Sequence, residues 1–94
     1  MERILRGHME KEIDNLLEPK VIDSLVVILK EFLAEPKENN VLTFIIGAVY
    51  GRFFTLVDER HDRLPTKSEN KEFLKMVERR TMEIKSKIKF AMSK

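Results

Sequence analysis

The chain has 94 residues, of which 43% are hydrophobic and 36% are charged, and its net charge is +2. This length suits a single domain, and the apolar share is sufficient for one core. The sequence contains no cysteine, which excludes disulfides, thiolate metal sites and a thiol nucleophile. It also lacks glutamine and is rich in Lys and Glu, a bias typical of thermophile proteins. The small net charge by itself indicates no partner.

The N-terminus, MERILRGHMEKE, is charged throughout and has no apolar segment of the kind found in signal peptides. We therefore expect a cytoplasmic protein. The apolar residues of this region recur at helical spacing, which predicts a first helix over about residues 2–18. Pro19 removes a backbone donor and ends or kinks that helix. The predicted core positions are Leu5, Met9, Ile13 and Leu16.

A second amphipathic helix is predicted over about residues 20–34, and Pro36 follows it as a breaker. Its apolar side is continuous, and we expect Val27 to be its one outward-pointing apolar residue. The residues predicted to face the core are Val21, Ile22, Leu25, Val26, Ile28, Leu29, Phe32 and Leu33.

Residues 41–57, VLTFIIGAVYGRFFTLV, carry a single charge, Arg52. Apolar side chains surround the whole circumference of a helix with this sequence, which predicts a fully buried central helix over about residues 40–61. A membrane span is the rival interpretation. However, the stretch is at the lower limit for a span, its flanks show no positive-inside bias, and Arg52 would lie close to the bilayer centre. The sequence favours a buried core helix.

Small residues recur at every fourth position along one side of this central helix. Glycine costs about 1 kcal/mol in a helix interior relative to alanine, so the row needs a compensating contact. Close approach of another helix supplies one, at a crossing angle of about −50°. Three occupants are open: the chain's own first or last helix, a second copy of the chain, or a small ligand beside Tyr50. The row consists of Thr43, Gly47, Gly51 and Thr55.

The glycines of this row also predict a mutational effect. We expect leucine at Gly47 or Gly51 to destabilise the fold, because a large side chain would overpack a close helix contact.

The last helix is predicted over about residues 67–92, since Thr66-Lys67-Ser68-Glu69 matches the S/T-x-x-E capping box. It is the longest element, and we expect about 15 Å of it to overhang the other helices. Met82 and Phe90 are expected to point outward from it. Its C-terminal region is basic, with eight Lys or Arg and three Glu over residues 71–94. The basic residues that cluster away from the predicted core are Lys71, Lys75, Lys85 and Lys89.

At the end of the central helix, Asp58, His61 and Asp62 stand at i, i+3 and i+4, a spacing at which side chains can share a divalent metal. Only His8 and Glu12 offer a second group, and the combination matches no recognised metal-site pattern. We expect a solvated helix end with surface ion pairs. The sequence also has no nucleophile–base–orienter set, so it predicts no enzyme activity, metal or cofactor.

The predicted architecture is an all-α, up-down four-helix bundle in one domain over residues 1–94. The predicted function is protein–protein association as a homodimer, with the small-residue row and the outward residues of the last helix as its interface. Basic residues of that helix are expected to meet Glu10, Asp14 or Glu31 of the other chain. The alternative is a nucleic-acid-binding accessory protein that uses the four lysines. No membrane or small-molecule substrate is expected.

Overall fold

The computed structural model describes residues 1–93 and confirms an all-α, bundle-like fold. Every helix begins and ends within two residues of its predicted position, and the described part of the chain contains no strand. The four helices are α1 (Arg3–Leu16), α2 (Pro19–Phe32), α3 (Glu38–His61) and α4 (Lys67–Met92).

Local sequence signals set the helix boundaries. Pro19 occupies the first turn of α2, where its missing N–H is no loss. The predicted capping box of α4 is present: the Glu69 amide donates to Thr66 Oγ1 at 3.1 Å, and the Thr66 amide donates to Glu69 Oε1 at 2.9 Å. α3 ends where Asp62 adopts the left-handed conformation, with φ of 53°.

Helices α3 and α4 form an antiparallel pair that spans the 41 Å long axis of the molecule. α1 packs antiparallel to α3, since Glu2 pairs with Arg60 and Glu12 pairs with Arg52. α2 begins beside the C-terminal turns of α4, where Pro19 and Phe90 line one depression. α1 and the residues just before it meet α4 through ion pairs, from Met1 with Glu72 to Asp14 with Arg80, and α2 begins further along α4.

The predicted overhang of the last helix is wrong. Buried residues of α4 run from Glu69 to Ile88, almost its whole length. Two short helices in succession provide the cover that a single short helix could not. The aromatic centre of the core joins α3 to α4: the rings of Phe53 and Phe73 stack with centroids 5.1 Å apart, and Tyr50 meets Phe73 edge-on at 5.2 Å.

The prediction of a fully buried central helix is also wrong. Only 33% of the most apolar part of α3 is buried. The neighbours α1, α4 and a small part of α2 pack on one side of α3, and the other side faces outward. The buried residues of α3 are Val41, Ile45, Val49, Phe53, Leu56 and Val57.

α2 is likewise less covered than its sequence predicts. Val27 is exposed as expected, but Ile28, Leu33 and Phe32 are exposed as well, the last at 81%. The buried positions of α2 are Ile22, Val26 and Leu29, a narrower stripe than the apolar face of the sequence. The reason is that α2 packs chiefly on one neighbour, α4, which covers only one side of a helix.

Candidate functional site

The outward side of α3 is an apolar surface that no other part of the described chain covers. We call it the open face. For four turns it carries no charged side chain, which is unusual for exposed helix in a chain that is 36% charged. Its residues are Thr43, Phe44, Gly47, Ala48, Gly51, Phe54 and Thr55, all exposed.

The two glycines of the open face have free space in front of them. A Cβ atom added at Gly47 or Gly51 would meet nothing within 4 Å, and neither glycine has a positive φ. Packing of the chain's own α1 or α4 on this row, one of the three predicted occupants, is therefore wrong. The predicted overpacking by leucine therefore lacks the close helix contact within the chain on which it was based. α1 and α4 instead pack on the larger side chains of α3.

A shallow groove of about 360 Å³ lies where the open face meets α4. Tyr50 closes one side, and its hydroxyl donates to Asn70 Oδ1 at 3.0 Å, so this hydroxyl has a partner within the fold. Leu74 of α4 lies at the rim and is 54% exposed. The accessible lining is apolar, which suits an apolar side chain better than a polar metabolite. The lining residues are Ile46, Gly47, Tyr50, Asn70, Phe73 and Leu74.

The opposite border of the open face is formed with α1. Arg52, the single charge of residues 41–57, donates from Nε to Glu12 Oε1 at 3.3 Å. This pair directs the charge toward α1. Thr55 Oγ1 donates to the carbonyl of Gly51 at 3.0 Å, so the hydroxyl is also satisfied within the helix. If a partner covered this border, the Arg52 guanidinium and the Thr55 hydroxyl would therefore keep their hydrogen bonds.

By length and composition, α3 is apolar enough to cross a membrane. One such helix is weak evidence, because the core helix of a soluble protein passes the same test. The structure adds that the apolar residues of α3 are divided between a buried side and the open face.

No protein-family model, no curated protein and no solved structure matches this chain. Inferences about function therefore rest on the surface of the chain. Besides the open face, that surface has two further features of interest, which are the outward apolar residues of α4 and its lysines.

Met82 and Phe90 are exposed, as the sequence predicts, at 85% and 65%. The structure does not bring Phe90 to the small-residue row. Phe90 lines a depression with Pro19, Ser86 and Lys87, where α2 meets α4, whereas the groove beside Gly47 lies between α4 and α3. Phe90 and the small-residue row, which were predicted to share one interface, therefore lie on separate surfaces.

The four predicted nucleic-acid-binding lysines are all exposed. Within residues 1–93, none of them forms an ion pair with a carboxylate. Lys75 also lines a surface depression with Arg6, Glu72 and Arg79. No aromatic residue lines this depression, so it offers positive charge without a stacking surface for bases.

Asp58, His61 and Asp62 do not form a metal-binding group in the described chain. Asp62 is the C-cap of α3, and His61 Nε2 lies 3.5 Å from Glu2 Oε1. The hydrogen bond from Arg60 lowers the pKa of Glu2. The end of α3 is thus held to the start of α1 by the ion pair between Arg60 and Glu2.

Arg80 is the centre of an ion-pair network that the sequence did not reveal. Its guanidinium donates to Asp14 Oδ1 at 2.5 Å, to Glu83 Oε1 at 2.7 Å and to the carbonyl of Glu10 at 3.1 Å. Glu10 and Asp14, which were predicted to meet basic residues of another chain, are therefore paired within this one. The available signal was that Arg80 borders the apolar side of α4.

Proposed function

We propose that this protein acts by protein–protein association and forms a homodimer through the open face of α3. The glycines carry the proposal. Gly47 and Gly51 each cost about 1 kcal/mol in a helix interior relative to alanine. Nothing within the chain uses the space they leave. Close approach of a second helix would use it, because only glycine lets two helix backbones come so near.

The composition of the open face also supports a binding role. Phe44 and Phe54 are exposed at 42% and 39%, and no Lys, Glu or Asp lies between them on this side. Aromatic residues are enriched and these charged residues depleted in interface cores. Covering such a face removes apolar surface from water without dehydrating a charge.

The broad side of the molecule has room for the interface of a stable dimer. Specific interfaces bury about 800 Å² on each partner. The chain exposes 6459 Å² in total, so an interface of that size would take about one eighth of it. The molecule measures 41 × 23 × 20 Å, and its broad side is large enough to hold this area. The proposed activity is binding alone, with no catalytic residue or cofactor assigned.

Sedimentation equilibrium from about 1 to about 100 µM, the range of weak specific dimers, tests the proposal. We expect a mass that rises toward twice 11.1 kDa for the native chain. Phe54→Ser should shift the midpoint to higher concentration by about tenfold or more. Phe32→Ser is the matched control, since Phe32 is an exposed aromatic residue on α2, and it should leave the midpoint unchanged.

A monomer at every concentration would overturn the homodimer. A dimer that Phe32→Ser dissolves and Phe54→Ser does not would place the interface on α2 and reject the open face.

A second candidate function is binding of a nucleic-acid backbone by Lys71, Lys75, Lys85 and Lys89. The observation that favours it is that these lysines are exposed and have no carboxylate partner in residues 1–93. Retention on heparin should then weaken linearly in the logarithm of salt concentration. Lys75→Glu with Lys85→Glu should abolish it, while Lys20→Glu with Lys30→Glu on α2 serves as the charge-matched control.

A further inference from the structure

The sequence of residues 41–57 is partly palindromic around Val49. Eight pairs of positions lie at equal distances on the two sides of this residue, and five of the pairs are identical. The three remaining pairs differ, and one of these, Ile45 with Phe53, is apolar in both members. The identical pairs are Val41/Val57, Leu42/Leu56, Thr43/Thr55, Phe44/Phe54 and Gly47/Gly51.

Three of the identical pairs lie on the open face: the threonines, the phenylalanines and the glycines. Side-chain size along that face is therefore symmetric except at Ala48, whose counterpart is Tyr50 beside the groove. With a rise of 1.5 Å per residue, each glycine lies about 3 Å from the level of Val49 along the helix, and each threonine about 9 Å. The glycines, the smallest residues, lie near the centre of the face, and the larger phenylalanines and threonines lie at equal distances toward its two ends.

We propose that two copies of the chain pack with their α3 helices antiparallel, across a two-fold axis at the level of Val49. This geometry rests on the homodimer proposed above and specifies it. Residue n of one copy then lies opposite residue 98 − n of the other. Gly47 meets Gly51, Thr43 meets Thr55, and Phe44 meets Phe54, so identical residues lie opposite each other at these three pairs of positions, while Ala48 lies at the level of Tyr50.

The gradation of size fits two helices that cross. Crossed helices are closest at the crossing point and diverge on both sides of it. Rows of residues at i and i+4 pack at a crossing angle of about −50°. Glycine then occupies the point of closest approach, while threonine and phenylalanine fill the space that opens away from it. In a parallel dimer, each residue of one copy would lie opposite the same residue of the other copy. The sequence of α3 would then not need to be symmetric around Val49.

The groove beside α4 fits the same arrangement. Phe54 lies one turn beyond Tyr50, which faces α4, so Phe54 is on the α4 side of the open face. The proposed axis keeps the α4 sides of the two copies together. It brings Phe54 of one copy to the level of Phe44 in the other, next to the groove that Ile46 and Leu74 line.

The polar residues at the ends of the face also favour the antiparallel direction. Asn40 and Asp58 are exposed and lie nine residues to either side of Val49. The Asn40 Oδ1 atom accepts from the Lys37 amide at 2.7 Å, which leaves its NH₂ group directed to other acceptors. Antiparallel helices bring this end of α3 toward the Asp58 carboxylate of the other copy. Parallel helices would put both Asp58 carboxylates at the same end of the contact, where they repel each other across the space that the crossing opens.

The absence of cysteine makes cross-linking a direct test. Thr43→Cys and Thr55→Cys are prepared separately, and each is treated with a short bismaleimide alone and in an equimolar mixture. We expect about tenfold more cross-linked dimer in the mixture than in either variant alone, because only the mixture places the two thiols opposite each other at high effective concentration. Ser24→Cys on α2 measures random collision.

The outcomes separate the two proposals. Efficient cross-linking of each variant with itself would indicate a parallel dimer and overturn the antiparallel geometry while the homodimer stands. Cross-linking at the Ser24→Cys level, with a dimer still present in sedimentation, would place the interface elsewhere and also overturn the geometry. A monomer in sedimentation would overturn the homodimer itself, and the geometry with it.

Discussion

The stacked rings of Phe53 and Phe73, with an interplanar angle of 16°, determine which side of α3 faces outward. Phe53 is fully buried between α3 and α4. The next residue, Phe54, lies 100° further around the helix and is 39% exposed. Two adjacent phenylalanines thus lie on different sides of α3: Phe53 packs in the core and Phe54 lies on the open face.

This pair gives a matched test of the fold. Phe53→Ala should lower the free energy of unfolding by about 3–5 kcal/mol, because it leaves a cavity beside Phe73. Phe54→Ala should change it by less than about 1 kcal/mol, measured by urea denaturation at a concentration where the chain is monomeric. Similar losses for both variants would mean that Phe54 also belongs to the core.

The glycines should respond differently in stability and in association. Gly47→Ala or Gly51→Ala should raise the free energy of unfolding of the monomer by about 0.5–1 kcal/mol, since alanine fits the open space and favours the helix. The same variants should weaken dimerisation by about tenfold, because a Cβ separates the two backbones. Thermal unfolding at low concentration and sedimentation measure the two effects.

Gly7 provides the control for these variants. It lies in α1 and also has nothing within 4 Å of an added Cβ atom. Gly7→Ala should stabilise the chain to a similar degree and leave the dimer unchanged. Dimers of equal strength in all three variants would show that no helix approaches the open face.

The sequence predicted the fold because its signals are local. Helix periodicity, Pro19 and the capping box Thr66/Glu69 depend on neighbours in the chain, and the structure has each helix where they indicate. The burial of α3 depends on how many helices surround it, which periodicity does not contain. The sequence therefore marked Gly47 and Gly51 as unusual but did not determine what lies in front of them.

The network around Arg80 was missed for a related reason. Its partners Glu10 and Asp14 are 70 and 66 residues away in sequence. The i, i+4 pattern of the last helix gives no information about contacts at that separation. The exposure of Leu74 and the burial of Met76 likewise depend on where the other helices lie against α4, which the helical pattern does not contain.

The cap of α4 makes stability depend on pH. The hydrogen bonds from Arg63 and from the Thr66 amide lower the pKa of Glu69 from 4.5 to about 2. A lowered pKa means that the ionised carboxylate is favoured in the folded state, so its contribution is complete above about pH 4.5 and is lost as the pH falls toward 2. Urea denaturation at several pH values should show this decline.

Glu69→Gln should remove the part of the decline due to this carboxylate and cost about 0.5–2 kcal/mol at neutral pH, the usual value of a helix cap. Glu78→Gln, on an exposed position of the same helix, is the control and should retain the wild-type pH profile. A Glu69→Gln profile parallel to that of the native chain would contradict the assignment.

Arg80 and its neighbour Arg79 provide the last test, since one is held in the network and the other is exposed. Arg80→Ala should lower the free energy of unfolding by about 2–3 kcal/mol, because it removes charged hydrogen bonds. It would also remove the ion pair of Glu10 Oε1, a buried atom that lies 3.6 Å from Arg80 Nη1. Arg80→Lys should recover only part of the loss, since an ammonium group cannot reproduce the fork of the guanidinium. Arg79→Ala should change the free energy by less than about 0.5 kcal/mol. Equal effects of the two alanine variants in urea denaturation would show that the network does not hold α1 against α4.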